Sequence, residues 1–77
     1  MKYKVGDKVK VRTWSDMALE FSVDEDGDIK VPLYFTKKME QYCGKTVTIK
    51  DRHESEGYYD IIEDTEDEFC FSDDMFE

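Results

Sequence analysis

The sequence predicts a mainly β fold, a small five-stranded barrel formed by residues 1–77 as one domain, with a short helical insertion between the first two barrel strands. Three observations carry that expectation. Two segments, Lys8-Val9-Lys10-Val11-Arg12-Thr13 and Lys45-Thr46-Val47-Thr48-Ile49-Lys50, alternate apolar and polar residues, and a glycine precedes each. A period of two sends Val9, Val11, Val47 and Ile49 to the inner face of their strands. Later, Tyr58–Glu63 and Glu68–Phe71 are rich in aromatic and β-branched residues and stand four residues apart, the spacing of a hairpin. Finally, a chain of 77 residues with 14% aromatics has room for one core and the bulk to fill it, since each aromatic ring buries roughly 150–250 Å².

In chain order, Gly6-Asp7 supplies the turn into the first strand, Gly through positive φ and Asp through bonds to its own backbone. Ser15–Phe21 reads as a short helix with Ser15 as its cap and Met17 or Ala18, Leu19 and Phe21 competing for the buried side. Asp24-Glu25-Asp26-Gly27-Asp28 is a turn joining Phe21-Ser22-Val23 to Ile29-Lys30-Val31, and Pro32 ends the second of these. Thr36–Cys43 reads as a second helix, capped by Thr36 and stopped by Gly44, with Phe35, Met39 and Tyr42 or Cys43 at helical spacing. In the late hairpin Tyr59 and Ile61 are assigned inward and Tyr58 and Ile62 outward, although paired apolar residues leave the register open to a slip by one. Ser72–Phe76 reads as a cap and one helical turn whose Met75 and Phe76 close an end of the barrel.

The net charge of −9 is divided along the chain. Residues 1–52 hold 11 Lys and Arg against 9 Asp and Glu, a balance of +2, while residues 53–77 hold 11 acidic residues and no Lys or Arg, a balance of −11. Phosphate backbones are bound by Lys and Arg that release counterions, so direct binding to nucleic acid or to anionic lipid is not expected. No run approaches the roughly 20 apolar residues needed to span a bilayer, and no apolar leader follows Met1, so a cytoplasmic location is expected. Cys43 and Cys70 stand alone and are expected to be reduced and buried as small hydrophobes.

Motifs for chemistry are weak. Asp24-x-Asp26-x-Asp28 resembles the start of a calcium loop, but Gly27 falls fourth where the sixth position needs glycine, and Phe35 occupies the twelfth, where a bidentate Glu belongs. The segment is read as a solvated hairpin tip. His53 is the sole histidine, and with no Cys or His beside it no structural zinc site is expected. Ser55 lies two residues from His53 with no nucleophile turn, and no glycine-rich loop cradles a phosphate. No enzyme activity, cofactor or metal is therefore expected.

The segments Tyr3-Lys4-Val5-Gly6-Asp7-Lys8-Val9-Lys10-Val11 with Trp14, Phe35 to Met39, Tyr42-Cys43-Gly44-Lys45, Tyr59-x-Ile61 and Phe69-Cys70-Phe71-Ser72-x-x-Met75-Phe76-Glu77 span nearly the whole chain. In that order the chain resembles small uncharacterised SH3-like barrel proteins encoded by phages and prophages of Firmicutes-type bacteria, in which Trp often stands where this chain has Phe71. The resemblance implies an SH3-like barrel and a phage-derived origin, and it implies no activity.

Two functions are expected from what remains. A non-enzymatic protein-interaction module would use the aromatic surplus of Trp14, Tyr34 and Tyr58 beside the insertion, as SH3 domains offer aromatics flanked by carboxylates to basic peptides. Alternatively, Asp64, Glu66, Asp67 and Glu68 would stand in for phosphates as a nucleic-acid mimic toward a host DNA-binding protein. In either case the partner is an unidentified protein, and a monomer is expected ahead of a homodimer, although open edge strands can pair with another copy.

Overall fold

A computed structural model describes residues 1–77. The strands and helices are β1 (Lys8–Lys10), α1 (Trp14–Phe21), β2 (Ile29–Val31), β3 (Leu33–Phe35), a 3-10 helix η1 (Lys37–Tyr42), β4 (Thr46–His53), β5 (Tyr58–Ile61) and a 3-10 turn η2 (Asp73–Met75). The fold is small, mixed and rich in antiparallel sheet. β1, β4 and β5 form one sheet in the order β1-β4-β5, and β2 and β3 form a second. The two sheets are not closed into a five-stranded barrel.

The two alternating segments behave as their period dictates. Val9 pairs with Val47, and both are buried, while Lys8, Thr46 and Lys10 take the outer face. Tyr59 and Ile61 point inward from β5 and Ile62 is exposed, which resolves the register in favour of the assigned one. The core comprises 14 buried apolar residues drawn from every strand, both 3-10 turns and α1. Within it the rings of Phe71 and Phe76 stack at 5.8 Å and that of Tyr3 meets Phe76 edge-on at 5.5 Å.

The insertion is better built than its sequence suggests. α1 is capped by Thr13, not Ser15: the Thr13 hydroxyl accepts the amide of Asp16 at 3.2 Å. Trp14, Met17, Ala18 and Phe21 pack toward the core at spacings of three and four, and Leu19 is left outside. Pro32 does end β2, but the chain reverses around it at once, so that Val31 pairs with Leu33 and Ile29 with Phe35. The resulting strand β3 was not expected. The second helix forms as the tighter 3-10 type over Lys37–Tyr42, and the Thr36 amide caps it by donating to the Met39 thioether at 3.4 Å. At the Asp26-Gly27 tip, Gly27 adopts φ 86°, and the Asp24 carboxylate accepts the amides of Asp26 and Asp28 at 2.9 and 3.0 Å.

Glu68–Phe71 does not form the expected strand. The Asp64 carboxylate accepts the Phe69 amide at 2.7 Å, which holds the segment in a loop, and only Phe71 reaches the ladder, as a single bridge to Tyr59. Asp64 is therefore buried, 4% exposed, contrary to the exposed acidic run expected there. The C-terminal residues then cross to the opposite edge, where Phe76 bridges Val11 and the Glu77 amide donates to Lys10 at 2.8 Å. On the way the Ser72 hydroxyl donates to the Val31 carbonyl, tying β2 to the same segment. Cys43 is half-buried and Cys70 exposed, both as free thiols, so Cys70 is not the buried hydrophobe expected.

Candidate functional site

The seven residues singled out for partner binding lie on α1, β3, β5 and the loop of residues 62–70, and no ring contact joins any two of the three aromatics. Trp14 is half-buried at the start of α1, with its ring 6.0 Å from that of Phe35, which gives it a packing role. Tyr34 is 54% exposed on β3, with the Lys30 ammonium 5.9 Å from its ring centroid. Tyr58 is half-buried and stacks on His53 at 4.4 Å.

The acidic four are likewise dispersed in role. Asp64 closes its loop from inside, Asp67 pairs with Lys50 at 2.9 Å, and Glu68 approaches Lys38 at 4.0 Å. Glu66 is exposed and makes no hydrogen bond or ion pair. The basic first half of the chain thus folds against part of the acidic second half, with Lys10 and Glu77 a further pair at 3.9 Å.

The largest exposed apolar side chains of the insertion are Leu19, 89% exposed on the outer side of α1, Val23, 46% exposed, and Tyr34. The exposed carboxylates of Asp24, Glu25 and Asp26 rim the same insertion. The surface carries no enclosed pocket.

A different cluster was missed from sequence. On the outer face of the β4–β5 ladder, Asp51 lies opposite Asp60 and His53 opposite Tyr58. Ligand atoms of Asp51, His53 and Asp60 all lie within 4.8 Å of one another, and His53 Nε2 is 2.8 Å from an Asp60 carboxylate oxygen. That hydrogen bond, with the negative field of Asp51 and Glu56, holds the imidazole's proton affinity above its ordinary value. A lone histidine among carboxylates was dismissed because no Cys or His stands beside it in sequence; the strand pairing supplies aspartates instead.

The grouping depends on one irregularity. Ile49 pairs with Ile61, yet Asp51 pairs with Asp60, so β4 carries one extra residue between them. Without this bulge the inward phase of Val47 and Ile49 would continue into Asp51 and His53. With it those two face outward, and Arg52 takes the phase of buried Tyr59, its Nε atom buried without a hydrogen-bond partner. The bulge is the signal that sequence periodicity could not contain.

No helix is long and apolar enough to cross a membrane. Comparison of the chain with protein-family models, with curated proteins and with solved structures found no match.

Proposed function

We propose that the chain is a non-catalytic protein-interaction module of phage-derived origin, and that it presents its insertion between β1 and β4 to a protein partner. The observation that carries this reading is the exposure of Leu19, 89%, on a helix whose other apolar residues are packed. An isolated exposed leucine is common. Here Val23 and Tyr34 are exposed on the same insertion, and the carboxylates of Asp24, Glu25 and Asp26 give it the charge to favour a basic partner.

An SH3-like plan is part of the proposal. It is supported by the antiparallel β1-β4-β5 order and by a C-terminal segment that meets β5 at Phe71 and, just beyond β1, Val11 at Phe76 around a 3-10 turn. It draws further support from the resemblance of the opening and closing segments to phage-encoded proteins. The mimic reading draws less support, since Asp64 is buried and Asp67 and Glu68 have basic neighbours.

The test is capture of a bacterial partner on the immobilised chain, compared with Leu19→Asp, Tyr34→Asp and Glu66→Gln. A partner retained by the unmodified chain and Glu66→Gln but lost from both insertion variants, each with an unchanged circular-dichroism spectrum, is the expected result. Equal capture by all four proteins, or loss with Glu66→Gln alone, refutes the reading.

A further inference from the structure

We propose that Asp51, His53 and Asp60 form a binding site for a divalent zinc ion on the outer face of the β4–β5 ladder. Zinc takes imidazole nitrogen and carboxylate oxygen together, and three protein ligands with water in the fourth position is a common open arrangement. The three side chains come from two hydrogen-bonded strands, so their spacing is set by the sheet and not by a loop.

The geometry is close to what an ion needs. Two ligand atoms on a tetrahedral zinc at about 2.1 Å stand roughly 3.4 Å apart. His53 Nε2 and the Asp60 oxygen, now 2.8 Å apart, must open slightly, and the Asp51 oxygen already lies within 4.8 Å of both. Asp60 is the most sheltered of the three, its side chain 13% exposed, and His53 is 31% exposed with its ring held flat against Tyr58. With neutral imidazole the two carboxylates bring a charge of −2, enough to neutralise the ion.

The bulge in β4 gives the cluster its common face. An uninterrupted strand would send Asp51 and His53 into an apolar interior, where neither could be solvated. Bulges recur where a side chain has to be re-aimed, and this one brings three ligand-type residues together in a chain with a single histidine.

The test is titration of the metal-free full-length chain with zinc chloride by calorimetry, followed by cobalt(II) as a spectroscopic probe. Saturable binding of one ion per chain is expected, with a visible cobalt spectrum and a rise in thermal midpoint. Asp51→Asn, His53→Gln and Asp60→Asn should each weaken binding at least about tenfold, since even outer-shell changes at zinc sites cost that much. Glu66→Gln should leave binding unchanged. Cys70→Ser should also leave it unchanged, which separates the proposed ligands from the nearby exposed thiol. Absence of saturable binding, binding indifferent to His53→Gln, or binding that disappears with Cys70→Ser overturns the proposal. The proton–nitrogen NMR spectrum of each variant confirms that the fold is intact.

Discussion

Tyr59 is fully buried, yet its hydroxyl is satisfied at both valences: it donates to the Asp73 carboxylate and accepts the Tyr3 amide at 3.0 Å. Burial first, and the bond to Asp73 second, raise the phenol above its ordinary value of 10.0. A raised folded-state value means that the neutral form is favoured by folding. The contribution is present in full below about pH 10 and is lost as the pH rises through the folded value. Tyr59→Phe should flatten the alkaline limb of stability against pH, and should cost about 1 kcal/mol at neutral pH as Asp73 and the Tyr3 amide lose a partner. Urea unfolding between neutral and strongly alkaline pH measures both. Ser22, which ends α1 at φ 66° and ψ 152°, occupies backbone space that suits glycine. Ser22→Gly should raise stability by up to about 1 kcal/mol, read from the thermal midpoint. At this scale the inward role of Tyr59 was assigned from sequence but left open to a slip by one, since apolar residues stand in pairs at 58–59 and 61–62. Burial in the sheet decided it. The burial of Asp64 was not legible, since nothing local distinguishes it from Glu66, Asp67 and Glu68.

Among the elements, β1 and β4 were readable because their inner residues are β-branched and their outer residues polar, a pattern only a half-buried strand satisfies. β3 escaped because Leu33-Tyr34-Phe35 has no contrast between faces, and its partner β2 is one proline away. β4 was legible only as far as Ile49. Beyond it the bulge reverses the phase, and the candidate metal ligands lie wholly in that reversed stretch. Deleting Lys50, which removes the extra residue and sets Asp51 directly after inward-facing Ile49, should therefore leave Asp51 and His53 on the outer face opposite Asp60 and Tyr58 and preserve cooperative unfolding, an outcome followed by circular dichroism. Replacing Leu19 by Glu on α1 should change stability by no more than about 0.5 kcal/mol, since that side chain packs on nothing. Thr13→Ala should cost about 1 kcal/mol because the Asp16 amide loses its cap.

In the molecule as a whole, the last residues hold the two sheets together. Phe71 bridges β5, the Ser72 hydroxyl reaches β2, and Phe76 bridges Val11 beyond β1. Phe76 also packs its ring against Tyr3, Tyr59 and Phe71. Phe76→Ala should therefore cost about 3–5 kcal/mol through cavity formation. That is a large share of the roughly 5–15 kcal/mol available to a whole domain, so the variant should populate the unfolded state measurably in mild urea. Charge acts at the same scale. The opposite balances of residues 1–52 and 53–77 meet in pairs such as Lys50–Asp67 at 2.9 Å, so the acidic half is not an independent surface.

The amino-acid pattern alone determined which residues of β1, and of β4 as far as Ile49, face the core, where the Asp26-Gly27 turn lies, and that Thr36 and Gly44 bound a helical turn. These follow from rules that act within a few residues of the chain: side-chain period, turn chemistry and capping. Tertiary structure decided the rest. The bulge that gathers Asp51, His53 and Asp60, the capture of the Phe69 amide by Asp64, and the single bridges from Phe71 and Phe76 each depend on which strand a segment meets. Such choices are made by hydrogen bonds and packing between segments far apart in sequence, and no local period records them.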